Sequence, residues 1–191
     1  MKQTIVRRAM REELARVNAL REEVRALHAA GRPDIFRADF CEALREHVCE
    51  KFDSADADVI VALCGGTVAG FAIVEYIVRP ASPYNRARRY YHIEEIGVDA
   101  AFRRRGVGRA LTDFFRAEAE RLGFDRMELD VWEFNADALA FYDAVGFTCY
   151  RRFLELPVAS CAQQGGMRSG TARRGRKSSQ NSPLRLTKRP F

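Results

Sequence analysis

Between Arg11 and His28 the apolar residues Leu14, Val17, Leu20, Val24 and Leu27 recur at spacings of three and four, the stripe of an amphipathic helix. Gly31 and Pro33 end it, and a second helix is expected over 38–51. A first strand is expected over Thr4–Met10. Asp58–Cys64 and Thr67–Val78 are apolar runs on either side of Gly65-Gly66, the pattern of a β-hairpin. The polar stretch Arg79–Arg89 reads as a loop, and Tyr90–Val98 as the next strand. A helix over Val107–Leu122 follows, with Val107, Ala110, Leu111, Phe114 and Leu122 on one face and Gly123 as its stop. Met127, Leu129 and Val131 alternate with Glu128 and Asp130, a strand whose Glu128 should point outward. Asn135 stands where an N-cap belongs, before a helix over Ala136–Val145. Phe147–Leu156 is expected to add one or two last strands. The order is that of a mixed α/β domain.

Composition narrows the class. A chain of 191 residues suits one packed domain, and 47% hydrophobic with 30% charged content is that of a globular protein. No apolar run reaches the roughly 18–20 residues of a membrane span, and the N-terminus lacks the apolar core of a signal peptide. A cytoplasmic protein with no membrane partner is expected. Cys41, Cys49, Cys64, Cys149 and Cys161 form no CxxC pair, so neither a disulfide scaffold nor a zinc site is expected. His28, His47 and His92 show no ligand spacing, and no metal is expected. The net charge of +6 is unevenly placed: eight of the 32 basic residues and none of the 26 acidic ones lie beyond Pro157. The organisation expected is a folded domain over 1–157 and a basic, disordered tail over 158–191. The tail's Arg173-Arg-Gly-Arg-Lys177 has no interleaved aromatics, which argues against nucleic acid as a partner.

The chemistry concentrates where the Tyr90–Val98 strand ends. Arg103, Arg104, Arg105, Gly106, Val107, Gly108 and Arg109 form a turn that opens a helix, leaving N–H groups unpaired at the positive end of its dipole. Gly106 and Gly108 carry no Cβ to keep a ligand away. Such a turn suits a phosphate. A Walker loop would need Lys-Ser/Thr after Gly108, where Arg109-Ala110 stands, and a dinucleotide fingerprint would need glycine at Leu111.

Arg103-x-x-Gly106-x-Gly108 behind Ile96-Gly97-Val98, followed by Asn135-x-x-Ala138-x-x-Phe141-Tyr142-x-x-x-Gly146-Phe147, resembles the two acetyl-CoA boxes of the GNAT superfamily of N-acetyltransferases. The resemblance covers roughly Thr4 to Leu156. It implies a mixed, mostly antiparallel central sheet flanked by helices, with a splayed cofactor cleft. It also implies transfer of acetyl from acetyl-CoA to a primary amine of a small molecule or protein. Ile96, Gly97 and Val98 would offer backbone to the pantetheine arm, with Gly97 marking the bulge that opens the cleft. The amides from Arg103 to Arg109 would hold the pyrophosphate, and Arg103, Arg104 and Arg105 would contact phosphates. Asn135 would touch the cofactor arm or simply cap its helix, and Phe141 belongs to the same box.

For proton transfer the resemblance implies Tyr142 as the acid for the departing thiolate. Glu94, of the same parity as Ile96 and Val98, is the leading base, with Glu95 as alternative. Acceptor specificity would sit in Leu20–Lys51 and Arg79–Arg89, where Arg79, Arg86, Arg88 and Arg89 point weakly to a carboxylate-bearing amine. A homodimer is left open. So is a second class of function, a non-catalytic acyl-CoA sensor or nucleic-acid-associated module on the same fold.

Overall fold

Two strands are apolar without alternation because both of their faces are covered. In the computed structural model, which describes residues 4–158, β2 (Ala57–Cys64) and β3 (Thr67–Arg79) form the hairpin expected around Gly65-Gly66. Both glycines hold positive φ, 61° and 86°, as a tight two-residue hairpin turn requires. Val59, Val61, Phe71 and Ile73 enter one core, and Ile60, Ala62, Ala72 and Val74 enter another on the opposite face.

β1 (Thr4–Arg8), β4 (Arg88–Val98) and β5 (Met127–Leu129) complete a sheet of order β1-β2-β3-β4-β5. Its first four strands are antiparallel, and β5 runs parallel to β4. Helices α1 (Leu14–Gly31) and α2 (Glu42–Asp53) cover one face through Val17, Leu20 and Val48. On the other face α3 (Val107–Arg121) buries Val107, Leu111 and Phe115 against Tyr91 and Ile93. The last helix is α4 (Ala136–Ala144).

Several boundaries differ from expectation. α1 begins after a 3-10 turn over Arg11–Glu13, and α2 starts only at Glu42, behind an extended Cys41 (φ −75°, ψ 169°). β5 stops at Leu129 because β4 leaves it there, so Asp130 and Val131 have no ladder to join. No strand forms over Phe147–Leu156. The apolar positions Tyr150, Phe153, Leu154 and Leu156 mix parities and cannot put one face on a core.

One compact unit runs through Cys149, and a second begins at Tyr150. In the second, the described residues 150–158 hold neither helix nor strand, and the Arg151 guanidinium lies 4.3 Å from the Phe153 ring centre. The basic tail expected over 158–191 lies, Val158 apart, outside the described residues.

Candidate functional site

β4 and β5 pair only from Tyr91–Met127 to Ile93–Leu129, while β4 continues to Val98. The Tyr91 N–H donates toward β5, to Arg126 O (2.9 Å), and the Asp99 N–H donates toward β3, to Ala69 O (2.9 Å). Backbone groups alternate sides along a strand, so those of Ile96 and Val98 face the gap where β5 is missing. The Val98 carbonyl accepts there from Arg103 Nε at 3.2 Å.

The strands part at a bulge. On β3, Val74 pairs with Ile93 and the preceding Ile73 pairs with Glu95, which leaves Glu94 as the extra residue. Gly97 is not the bulge: it pairs in register with Phe71, and a Cβ on it would lie 2.6 Å from Phe71 Cε1 and 2.9 Å from Val24 Cγ2. Its missing side chain makes room for α1 and for the Phe71 ring.

The extra residue also changes parity. Ile96 and Val98 pack on the α3 side, whereas Glu94 and Glu95 both face α1 and α2. Glu95 binds the Arg21 guanidinium through both oxygens, Nε at 2.7 Å and Nη2 at 2.8 Å. Arg21 is only 2% exposed and also donates to Asn18 Oδ1 (2.9 Å) and the Leu44 carbonyl, so this pair ties both helices to β4. Glu94 Oε1 lies 3.0 Å from His47 Nε2. Its buried Oε2 has no aligned hydrogen bond, but Lys51 Nζ stands 3.0 Å away as an ion-pair partner. Lys51 is shared with Glu75. Burial opposes the charge on Lys51, but the two carboxylates outweigh it and hold its pKa above the ordinary lysine value.

Beyond Val98 the chain makes the turn the sequence marked. Asp99 accepts from the Ala101 N–H (2.8 Å) and pairs with Arg16 of α1. Arg104 and Gly106 hold positive φ, 61° and 85°, which only glycine adopts freely. The Ala110 N–H donates to Gly106 O (2.9 Å), so the amides of Val107, Gly108 and Arg109 stand at the open mouth of α3. Arg103 holds the Val98 carbonyl and Arg105 lies over Phe102 (5.5 Å), so both have roles inside the turn.

Gly108 also makes room for a neighbouring side chain. A Cβ there would lie 3.0 Å from Phe141 Cζ, so the ring of α4 fills the space. Asn135 caps α4, its Oδ1 accepting from the Ala138 N–H at 3.2 Å. Tyr142 packs between Phe141 (5.5 Å) and Phe147 (5.6 Å), and burial pushes its pKa up to about 12. The turn and the α4 box are thus joined by direct packing.

Other expectations need correction. Glu128 turns inward and pairs with Arg88, and Arg89 lies over Phe124 at 5.4 Å. Two of the four arginines thought to favour a carboxylate-bearing acceptor are therefore engaged. His47, Lys51 and Arg21 went unassigned in the sequence, although His47 and Lys51, four apart on α2, flank the buried Val48. A cavity of about 280 Å³ bordered by Arg116, Phe124, Met127 and Phe147 lies toward the far end of α3, and its Phe147 ring also packs on Tyr142. Among the described residues no group of three or more His, Cys, Asp or Glu could hold a metal, and no helix is long and apolar enough to cross a membrane.

The model of the acetyltransferase (GNAT) family matches residues 17–147. A ribosomal protein bS18-alanine N-acetyltransferase of Escherichia coli is 34% identical over 82 residues, 43% of this chain and 49% of that protein. An L-ornithine N5-acetyltransferase of Arabidopsis thaliana is 30% identical over 86 residues, 45% of this chain and 36% of that protein. The chain thus spans about half or less of the length of these relatives. Among solved structures, a mutant of the BH1408 protein from Bacillus halodurans superposes with a TM-score of 0.78 at 26% identity, covering 81% of this chain and 99% of that one.

Proposed function

The chain belongs to the acetyltransferase (GNAT) family, and from that premise we propose that it transfers acetyl from acetyl-CoA directly to a primary amine. The observation that carries this reading is the parting of β4 from β5 after Ile93, immediately before the open mouth of α3. Backbone at Ile96 and Val98 with no strand beside it, its Val98 carbonyl met only by the Arg103 side chain, followed by free amides at Val107, Gly108 and Arg109, fits an extended arm ending in phosphates. Acetyl-CoA supplies the thioester; the protein's part is to hold it and manage two protons.

An alkylamine with a pKa near about 10 is protonated at neutral pH and must lose a proton to attack. Glu94 takes that role, directly or through a water, because Glu95 is locked by both oxygens onto the 2%-exposed Arg21, whereas one oxygen of Glu94 meets an imidazole. Tyr142 returns a proton to the thiolate as it leaves, its raised pKa keeping the hydroxyl protonated until then. The names of the two relatives share an amine and differ in the molecule that bears it, so we assign the acceptor only as a primary amine. Thiol release from acetyl-CoA with a panel of amines tests the proposal. Acetyl-CoA binding with no turnover across small amines and peptide N-termini would replace it with an acyl-CoA sensor.

A further inference from the structure

We propose that His47 is the proton exit of this site, carrying the acceptor's proton from Glu94 to solvent. The inference rests on the acetyltransferase reading above and adds a residue to it. His47 belongs to α2, outside both acetyl-CoA boxes, yet its Nε2 lies 3.0 Å from Glu94 Oε1. Its other nitrogen, Nδ1, turns toward Glu50 Oε2 at 3.9 Å, on a side chain that is 77% exposed. The imidazole therefore stands between the Glu94 carboxylate, 28% exposed, and the more open carboxylate of Glu50.

The other neighbours of Glu94 cannot do this work. Lys51, also on α2, is held as an ammonium by Glu94 and by Glu75 of β3, so it has no vacancy for a proton. Arg21 of α1 is bound to Glu95 through both carboxylate oxygens, and a guanidinium offers donors only, with no acceptor for a proton. Arg45, nearer the start of α2, faces Glu22 of α1 at 3.9 Å. His47 alone among these groups has two ring nitrogens, one able to accept a proton from Glu94 while the other donates toward Glu50.

The acceptor ammonium loses a proton to the Glu94 carboxylate, freeing the nitrogen lone pair for the thioester. Glu94 passes that proton to Nε2 of a neutral ring and returns to carboxylate. The imidazolium releases its Nδ1 proton to water beside Glu50, and exchange with solvent restores the starting tautomer. Lys51 stays charged throughout and fixes the Glu94 carboxylate in place.

The test is chemical rescue in the full chain. In dilute non-nucleophilic buffer His47→Gln should turn over about a hundredfold more slowly than wild type, the lower end of general acid–base effects. Added imidazole should restore the rate in proportion to its concentration, leave wild type unaffected, and leave the KM for acetyl-CoA unchanged. Should His47→Gln fold poorly by thermal melt, His47→Asn replaces it in the same assay. Full turnover in the variant, or a deficit that imidazole does not lift, overturns the relay alone. Absence of amine-dependent thiol release from wild type overturns the acetyltransferase reading and the relay with it.

Discussion

The ring of Phe141 occupies the place of a side chain at position 108, where a Cβ would come within 3.0 Å of its Cζ. This contact seats α4 on the first turn of α3, beside the amides proposed to meet phosphate. Gly108→Val should therefore push α4 away, at about 1–3 kcal/mol for forced overpacking, and weaken acetyl-CoA binding. Adding Phe141→Ala should recover part of the loss, since residues in contact couple. Calorimetric acetyl-CoA affinities of the two single variants and the double variant check this. Strict additivity would mean that the contact does not transmit the effect.

Glu94 and Glu95 are adjacent and face the same helices, but their loss should register in different measurements. Glu95→Gln leaves the 2%-exposed Arg21 without its carboxylate, and breaking a buried pair from one side costs about 3–5 kcal/mol. The variant should melt well below wild type. Glu94→Gln removes the proposed base and should lower kcat by about a hundredfold or more, with a smaller fall in melting temperature. A reversed pattern, with Glu94→Gln unstable and Glu95→Gln stable but inactive, would make Glu95 the base.

The sequence carried the helices, the hairpin and the turn because each is written in local spacing: the stripe from Leu14 to Val24, Gly65-Gly66, and the run from Arg103 to Gly108. It did not carry the bulge. Glu94 becomes the extra residue only through the register between β3 and β4, and no glycine or proline marks it. That one insertion puts Glu94 on the face opposite Ile96 and Val98, against the expected parity. Gly97 and Gly108 were visible as special positions, but a glycine that admits a neighbouring side chain looks in one dimension like a glycine that admits a ligand. The pairing of Glu94 with His47 and Lys51 was hidden because it joins residues more than forty positions apart.

Tyr142 is half-buried between two aromatic rings, and the loss of solvent pushes its pKa up to about 12. The hydroxyl should hold its proton throughout the range in which the enzyme is assayed. The pH profile of kcat should then show no fall below pH ~10 caused by Tyr142. Tyr142→Phe should lower kcat about a hundredfold while leaving the KM for acetyl-CoA close to wild type. A variant that keeps wild-type kcat would assign Tyr142 to packing alone.

His28 makes stability depend on pH in a predictable direction. Its ring stacks on Phe36 at 5.1 Å and meets Phe134 edge-on at 6.1 Å, near the C-terminal end of α1. Burial, the largest influence, holds its pKa below the ordinary histidine value. In the unfolded chain the same ring takes up a proton once the pH falls below about 6.5, while the folded form resists until lower pH. The unfolded state then binds more protons, so this residue's contribution is intact above that pH and is lost as the pH falls through the folded pKa. Urea midpoints measured at pH 7.5 and 5.5 should drop for wild type, and His28→Gln should lose that part of the drop. An equal drop in both proteins would show that the proton uptake belongs to other groups.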